Sequence, residues 1–450
     1  MCASPSSVRT RDTTRVLWAD STRHSASPAT RVGPHTRLAS AIMRTAYSEH
    51  RLPNGLTIIA EIDPGAHTMA AGYFVRTGGR DEPPQLMGVS HFLEHMMFKG
   101  SASVVAQDVN RRFDAIGAEH NAFTTIDMTA YHAHVLPDRQ SEAISLLSDL
   151  LRPALRHEDF VEERKVILEE IAMYDDNPFW PLYERASEVF HGDNPLGHRV
   201  LGTPDSIKAM DVGSMREYFT ARYSPDNTVL ALAGKVDLDA AIRSAETELG
   251  MIPPQAPRNH RAAPINQRHD FTIDSTKSTR HYLLGLAPGP SASDEDRYAC
   301  MVLCQVLSDS DSGRLHWALV EPGLADSADV SLDMHDDCGI VLVSATCDPE
   351  DAAEVESILS RELDRVTTGV SDDELFSVRA KVATMVTLAG ERPSGRMRRL
   401  GGNWAHRLPY RSLTEELHRI ESVTAADTKR VAQRFPLVPW VTGRTRPTPT

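Results

Sequence analysis

The apolar positions change period along the chain, and the changes predict its elements. Residues 51–60 read as a strand, an Asn54-Gly55 turn and a second strand, and residues 69–76 as an apolar strand closed by Gly78-Gly79. Helical spacing follows: Val105, Val109, Phe113 and Ile116 mark one face of a helix over 101–116, which Gly117 ends. Residues 121–135 alternate as a strand does. Helices are predicted over 141–151, 157–174, 183–189 and 207–223, a glycine- and proline-rich loop over 191–202, and a buried strand over 228–234. Pro253, Pro254, Pro257 and Pro264 then stand among polar residues, the composition of a linker. Beyond it come a strand at 281–286, helices at 294–307 and 313–320, strands at 328–334 and 340–347, and helices at 352–367 and 372–388. The order of the first half returns, so we read a degenerate duplication: one domain over 46–252, a linker over 253–267 and a homologous domain over 268–445.

Composition narrows the class. The chain has 450 residues, 41% apolar and 24% charged, with no apolar run long enough for a membrane-spanning helix. Residues 1–45 hold seven Arg and two Asp, a net +5 against −14 for the whole chain. That Arg/Ser/Thr-rich stretch reads as a disordered leader, either a transit peptide or residues upstream of a true start at Met43. The rest of the chain is strongly acidic, which disfavours nucleic acid as a partner. Five loosely spaced cysteines argue for a reducing compartment. Cys300 and Cys304 are four apart and read as buried small hydrophobes.

The chemistry centres on His91-Phe92-Leu93-Glu94-His95. Two histidines four apart share a helix face about one turn apart, so both rings can reach one ion, and Glu94 leans the same way. Imidazoles and carboxylates are zinc ligands, and a spare carboxylate beside zinc can serve as general base. The H-x-x-E-H order marks the inverted zincins, although a solvated helix face would also tolerate these residues. Ser90 is placed to cap that helix. A third ligand must come from elsewhere. The 157–174 helix carries Glu163, Glu169 and Glu170, with Glu163 and Glu170 two turns apart on one face; a solvated charged face is the plainer reading of such acids.

Several stretches together resemble the pitrilysin and mitochondrial-processing-peptidase family of inverted zinc metallopeptidases, over about residues 47–440. They are residues 88–100 around the pentapeptide, Gly117-Ala118-Glu119-His120-Asn121-Ala122-Phe123-Thr124, residues 163–170, Leu201-Gly202-Thr203-Pro204, Tyr223-Ser224-Pro225-Asp226-Asn227, Arg392-Pro393-Ser394 and Glu421-Ser422-Val423-Thr424. The resemblance implies an α+β fold of two homologous α/β sandwich domains, each a mixed sheet flanked by helices, forming half of a clamshell. It implies one zinc per chain on His91, His95 and Glu170, with Glu94 as general base. Glu163 joins the catalytic set as a carboxylate that orients the site, and Asn121 and Ala122 contact a peptide that adds as a strand.

The sequence departs from that family at one place. Active single-chain members carry an Arg and a Tyr seven apart in the second half; here Leu319 and Asp326 align with them. An intact metal set without oxyanion donors implies the catalytic subunit of a two-subunit zinc endopeptidase. A zinc-free homologue would supply the pair, with a homodimer as the other arrangement. The competing reading is a non-catalytic structural subunit, and a third is a metal-dependent peptide-binding protein that has lost turnover along with the Arg–Tyr pair. The expected location is the cytoplasm, or the mitochondrial matrix if residues 1–45 are a transit peptide.

Overall fold

The computed structural model describes residues 45–102, 104–255 and 261–448. The predicted leader lies outside them, apart from Thr45. The first half runs β1 (Ala46–Arg51), β2 (Thr57–Ile62), β3 (Met69–Val75), α1 (Val89–Met97), α2 (Ala106–Ala115), β4 (Glu119–Thr124), β5 (Thr129–Val135), α3 (Gln140–Leu150), α4 (His157–Asp175), α5 (Phe179–His191), α6 (Pro204–Ala209), α7 (Val212–Arg222), β6 (Thr228–Gly234) and α8 (Leu238–Leu249). The second runs β7 (His269–Ser275), β8 (His281–Gly289), α9 (Arg297–Ser308), β9 (Ser327–Met334), β10 (Gly339–Cys347), α10 (Ala352–Arg365), α11 (Asp372–Glu391), α12 (Pro393–Ala405), α13 (Leu413–Glu421), α14 (Ala425–Arg434) and β11 (Val441–Pro447).

The strands form two mixed sheets, ordered β1-β2-β6-β3-β5-β4 and β7-β11-β8-β10-β9. From β2 onward the first sheet is one parallel pair followed by three antiparallel pairs. The second sheet repeats that pattern strand for strand. The fold is thus α+β, two sheet-plus-helix domains of matching topology.

Each sheet has one face on its own helices and the other on a helix from the opposite half. The central strands β3 and β6 are buried on both faces, as their unbroken apolar runs require. Met397, Leu400 and Ala405 of α12 cover the outer face of the first sheet against Phe74, Val229 and Ala231. Leu182, Ala186 and Phe190 of α5, at helical spacing, cover the second sheet against Leu284, Leu286, Ile340 and Val441. A fully buried Leu, Met or Phe stabilises by roughly 1.5–3 kcal/mol, so removing either helix would expose a core face.

Local differences from the sequence reading have plain causes. Residues 121–135 are two strands joined by a turn, because the Thr125 hydroxyl accepts from the Asp127 and Met128 N–H groups and reverses the chain. Residues 207–223 form two helices, because Asp211 caps a new start by accepting from Gly213 and Ser214. The 101–116 helix begins at Ala106. Ser90 is not the cap of α1: Gly88 holds that position at φ +92°, and the Ser90 hydroxyl instead bonds the Tyr218 hydroxyl at 2.9 Å. Residues 316–320 form a π-helical turn.

A buried ion cluster joins the halves where the β4–β5 and β9–β10 turns meet. Asp127 accepts from Arg80 at 3.0 Å and from His335 Nδ1 at 2.6 Å. Arg261 bridges Asp81 at 2.6 Å and Asp336 at 2.9 Å, and its Nη2 reaches the Asp127 carbonyl at 2.6 Å. Asp336 also pairs with Arg76 and His406. Burial alone would raise the Asp127 pKa, but His335, His406 and Arg261 pull it down to about 2. The same burial opposes a charged His335, yet Asp127 raises its pKa above the usual histidine value.

Two predictions follow from this packing. A Cβ at Gly401 on α12 would overlap the fully buried Phe74 ring. Gly401→Ala should therefore destabilise by about 1–3 kcal/mol, read by thermal unfolding. Asp127→Asn leaves Arg80 and Arg261 short of countercharge and should cost about 3–5 kcal/mol. In the wild type the Asp127 contribution is present above the unfolded aspartate pKa and fades as pH falls through about 2. The His335 contribution is present below the unfolded histidine pKa and fades as pH rises through its raised folded value.

Candidate metal centre

The centre is built by α1 lying across α4. Phe92 of α1 stacks on Phe160 of α4 with ring centroids 4.7 Å apart. Val89, Phe92, Leu93, Met96 and Met97 are buried on α1, and Phe160, Ile167 and Ile171 on α4. The 3.6-residue repeat that buries those side chains turns His91, Glu94 and His95 towards Glu163 and Glu170.

Three donors converge. Glu170 Oε2 lies 3.7 Å from His91 Nε2 and 3.5 Å from His95 Nε2, and all three ligand atoms fall within 4.8 Å of one another. Donors about 2.0–2.2 Å from one zinc in a tetrahedral site stand about 3.3–3.6 Å apart, so two imidazoles and a carboxylate at this spacing fit zinc in both chemistry and reach. Burial, aided by repulsion from His95, pushes His91 down to a pKa of about 3, so its ring is neutral and able to donate. His91 Nδ1 is buried with no hydrogen-bond partner.

The surrounding groups set the rest. His95 Nδ1 donates to Glu163 Oε1 at 2.8 Å, which leaves Nε2 facing Glu170. Burial opposes protonating His95, but Glu163 and Glu170 outweigh it and raise the pKa. Burial would likewise raise the Glu163 pKa, but His95 and Lys99 hold it below the usual glutamate value. The Glu94 pKa is raised by burial, offset in part by the Thr124 hydroxyl, which donates to its Oε2 at 2.5 Å.

Thr124 ends β4, the outer strand of the first sheet, so Glu94 is tied to that sheet edge. Asn121 and Ala122 lie on the same strand, and the Ala122 N–H is taken by the Asn121 side-chain oxygen at 2.8 Å. Roles for Lys99 and Thr124 were missed in the sequence. Lys99 sits one turn past His95, a spacing that could have pointed to it; Thr124 acquires its contact only through the sheet. Where the Arg–Tyr pair was expected, Leu319 is fully buried in the second core and Asp326 pairs with Arg280.

Comparison with known proteins accords with this arrangement. The family model described as Insulinase (Peptidase family M16) matches residues 57–204, and one described as Peptidase M16 inactive domain matches residues 209–382. An uncharacterized zinc protease of Streptomyces coelicolor is 33% identical over 92% of this chain and 94% of its own. One from Mycobacterium tuberculosis is 34% identical over 85% and 89%. A protease from Helicobacter pylori, 18% identical, shares the fold with a TM-score of 0.83 over 90% of this chain and all of its own. Since its first half matches the peptidase model, its second half the inactive-domain model, and its relatives align along most of their length, the chain belongs to peptidase family M16.

Proposed function

We propose that the chain is a zinc-dependent metalloendopeptidase acting on peptides or unfolded segments, and the catalytic subunit of a two-subunit enzyme. The observation that carries the reading is the convergence of His91, His95 and Glu170 beside a general-base candidate, Glu94. One zinc on those three residues supplies Lewis acidity for a water and for the scissile carbonyl. Glu163 fixes the His95 tautomer and keeps its Nε2 free to donate. Glu94 takes the proton of the attacking water and passes it to the leaving amine. Burial raises its pKa above the usual glutamate value, the direction that makes it a better proton acceptor. Thr124 holds Glu94 against the edge strand.

A peptide adding along β4 would compete with Asn121 for the Ala122 N–H, so binding reads mainly backbone and selectivity is loose. Leu319 and Asp326 are committed to packing and to an ion pair, and neither can help stabilise an oxyanion. A related zinc-free subunit would supply those donors, or a second copy of this chain would close over the site. Cytoplasmic residence accords with the free state of Cys300, Cys304, Cys338 and Cys347. No helix among the described residues is long and apolar enough to cross a membrane.

The deciding experiment is peptide cleavage by the zinc-loaded chain with Glu94→Gln as control. In whichever assembly the wild type cleaves, alone or with a zinc-free homologue, Glu94→Gln should lower kcat by about 10²–10⁴-fold while binding one zinc as before. Cleavage by the wild type alone would rule out a need for the partner. Zinc binding without cleavage, relieved by a zinc-free homologue bearing the Arg–Tyr pair, is the result expected of a two-subunit enzyme. Zinc binding that no homologue turns into cleavage would favour a metal-dependent peptide-binding protein, and no zinc binding at all the structural-subunit reading.

Of the two histidines, His95 should give metal affinity its pH dependence, since burial holds His91 neutral. Zinc binding must displace the His95 proton, so affinity should fall about tenfold per pH unit below its raised pKa and level off above it. Glu163→Gln should move that inflection downward and weaken zinc binding about 10–100-fold, measured by chelator competition across pH. An unmoved inflection would show that Glu163 does not govern His95.

A further inference from the structure

Helix α1 has no cap of its own. Its cap residue is Gly88, in a left-handed conformation and packed on the Gly202 backbone, and no side chain from the helix or its cap closes the first turn. The N–H groups there are met from outside. Glu82 Oε2 accepts from the Gly88 N–H and Oε1 from the Ser90 N–H, both at 2.7 Å. Glu82 is 3% exposed, and Ser90 is the residue before His91. Burial raises the Glu82 pKa, with the Ser90 and Gly88 N–H groups pulling the other way; both of its oxygens accept from N–H groups, as those of the ionised form do. A carboxylate at a helix N-terminus is favoured by the helix dipole as well as by the bonds it accepts.

The two residues before Glu82 face the second half. Arg80 pairs with Asp127 and with Asp337 of the β9–β10 turn at 3.2 Å. Asp81 accepts from Arg261, which also holds Asp336. Three consecutive buried charged residues therefore run from the seam between the halves to the first turn of the metal helix.

We propose that Glu82 is a positioning residue for the metal helix, and that the metal-free half acts on the metal centre through Arg80, Asp81 and Glu82. The proposal rests on the metal-site reading above, but Glu82 can be followed without metal. A segment pinned at both ends by buried ion pairs and a two-point clasp transmits displacement, where a solvated loop would absorb it. The second half then sets where His91 begins, although it holds no ligand itself.

The test uses Glu82→Gln, Asp337→Asn and the double variant in the full chain. Chelator competition reads zinc affinity, and amide hydrogen exchange at Gly88 and Ser90 reads the clasp in metal-free protein. Glu82→Gln keeps the shape but loses the second acceptor. It should weaken zinc binding about tenfold and speed exchange at both amides, and lower kcat with KM little changed in whichever assembly the wild type cleaves peptide. Asp337→Asn should act in the same direction by about twofold to threefold, and add nothing on top of Glu82→Gln. A folded Glu82→Gln with wild-type zinc affinity and wild-type exchange overturns the positioning role. Full additivity in the double variant overturns the relay. Should Glu82→Gln fail to fold, Glu82→Asp, which keeps the charge but shortens its reach, must still speed both amides or the proposal falls. A wild type that binds no zinc defeats the metal reading, while the exchange data still judge Glu82.

Discussion

The metal centre depends on one packing contact, α1 against α4. A helix that presents two histidines and a glutamate to the interior must bury its other faces in apolar contacts, or the cost of desolvating those polar groups would leave it frayed. Phe92 on Phe160, with Leu93, Met96, Ile167 and Ile171 around them, supplies the apolar contact. Two of the carboxylates are then met by neighbours, Glu163 by His95 and Lys99, and Glu94 by Thr124, while His91 Nδ1 is left without a partner. Removing any of these partners leaves a buried group unmatched, so metal affinity and local stability are bound together here.

The exchange of α5 and α12 explains why the halves form one compact body between Thr45 and the C-terminus. A sheet buried on both faces needs a layer of helix on each side. Each half keeps its own helices on one face of its sheet and lends a helix to the other's second face. The ion cluster at the meeting of the hairpin turns adds direction to that apolar adhesion. Arg261 lies 5% exposed between Asp81, Asp127 and Asp336, so the carboxylates that could otherwise gather a cation are already neutralised by a guanidinium.

How much of this was legible depended on the range of each interaction. His91, Glu94 and His95 could be read from spacing alone, because four residues on a helix fix a common face. Glu170 could not: its helix was clear from periodicity, but nothing local separates it from Glu169, and only the family resemblance singled it out. The structure brings Glu170 to both imidazoles and leaves Glu169 exposed. Ser90 failed as a cap because the true cap lies six to eight residues upstream and arrives through a loop. The helix of residues 393–405 went unread although Pro393 stands at its first position, where proline favours a start. Those of 413–421 and 425–434 went unread too, although Ser412–Glu415 and Thr424–Asp427 bear capping boxes. The partners of α5 and α12 were beyond reach, since an amphipathic pattern gives a buried face but not what buries it.

The duplication also shows where the two halves part: among the described residues, a histidine–glutamate donor set at this helix position gathers only in the first half. Helix α9 follows β8 as α1 follows β3, and it carries Cys300, Leu303 and Cys304 at the spacing of His91, Glu94 and His95. The three positions have gone the other way chemically. Cys300 and Leu303 are fully buried and Cys304 nearly so, within the apolar core of the second half. A hydrogen bond with Cys300, together with burial, holds the Cys304 thiol well above its usual pKa, as suits a small side chain packed in an apolar core. The same helix position therefore serves packing in one copy and presents candidate metal donors in the other. The difference lies in the surroundings: Glu163 and Glu170 reach the histidines in the first half, whereas the second copy lies within an apolar cluster.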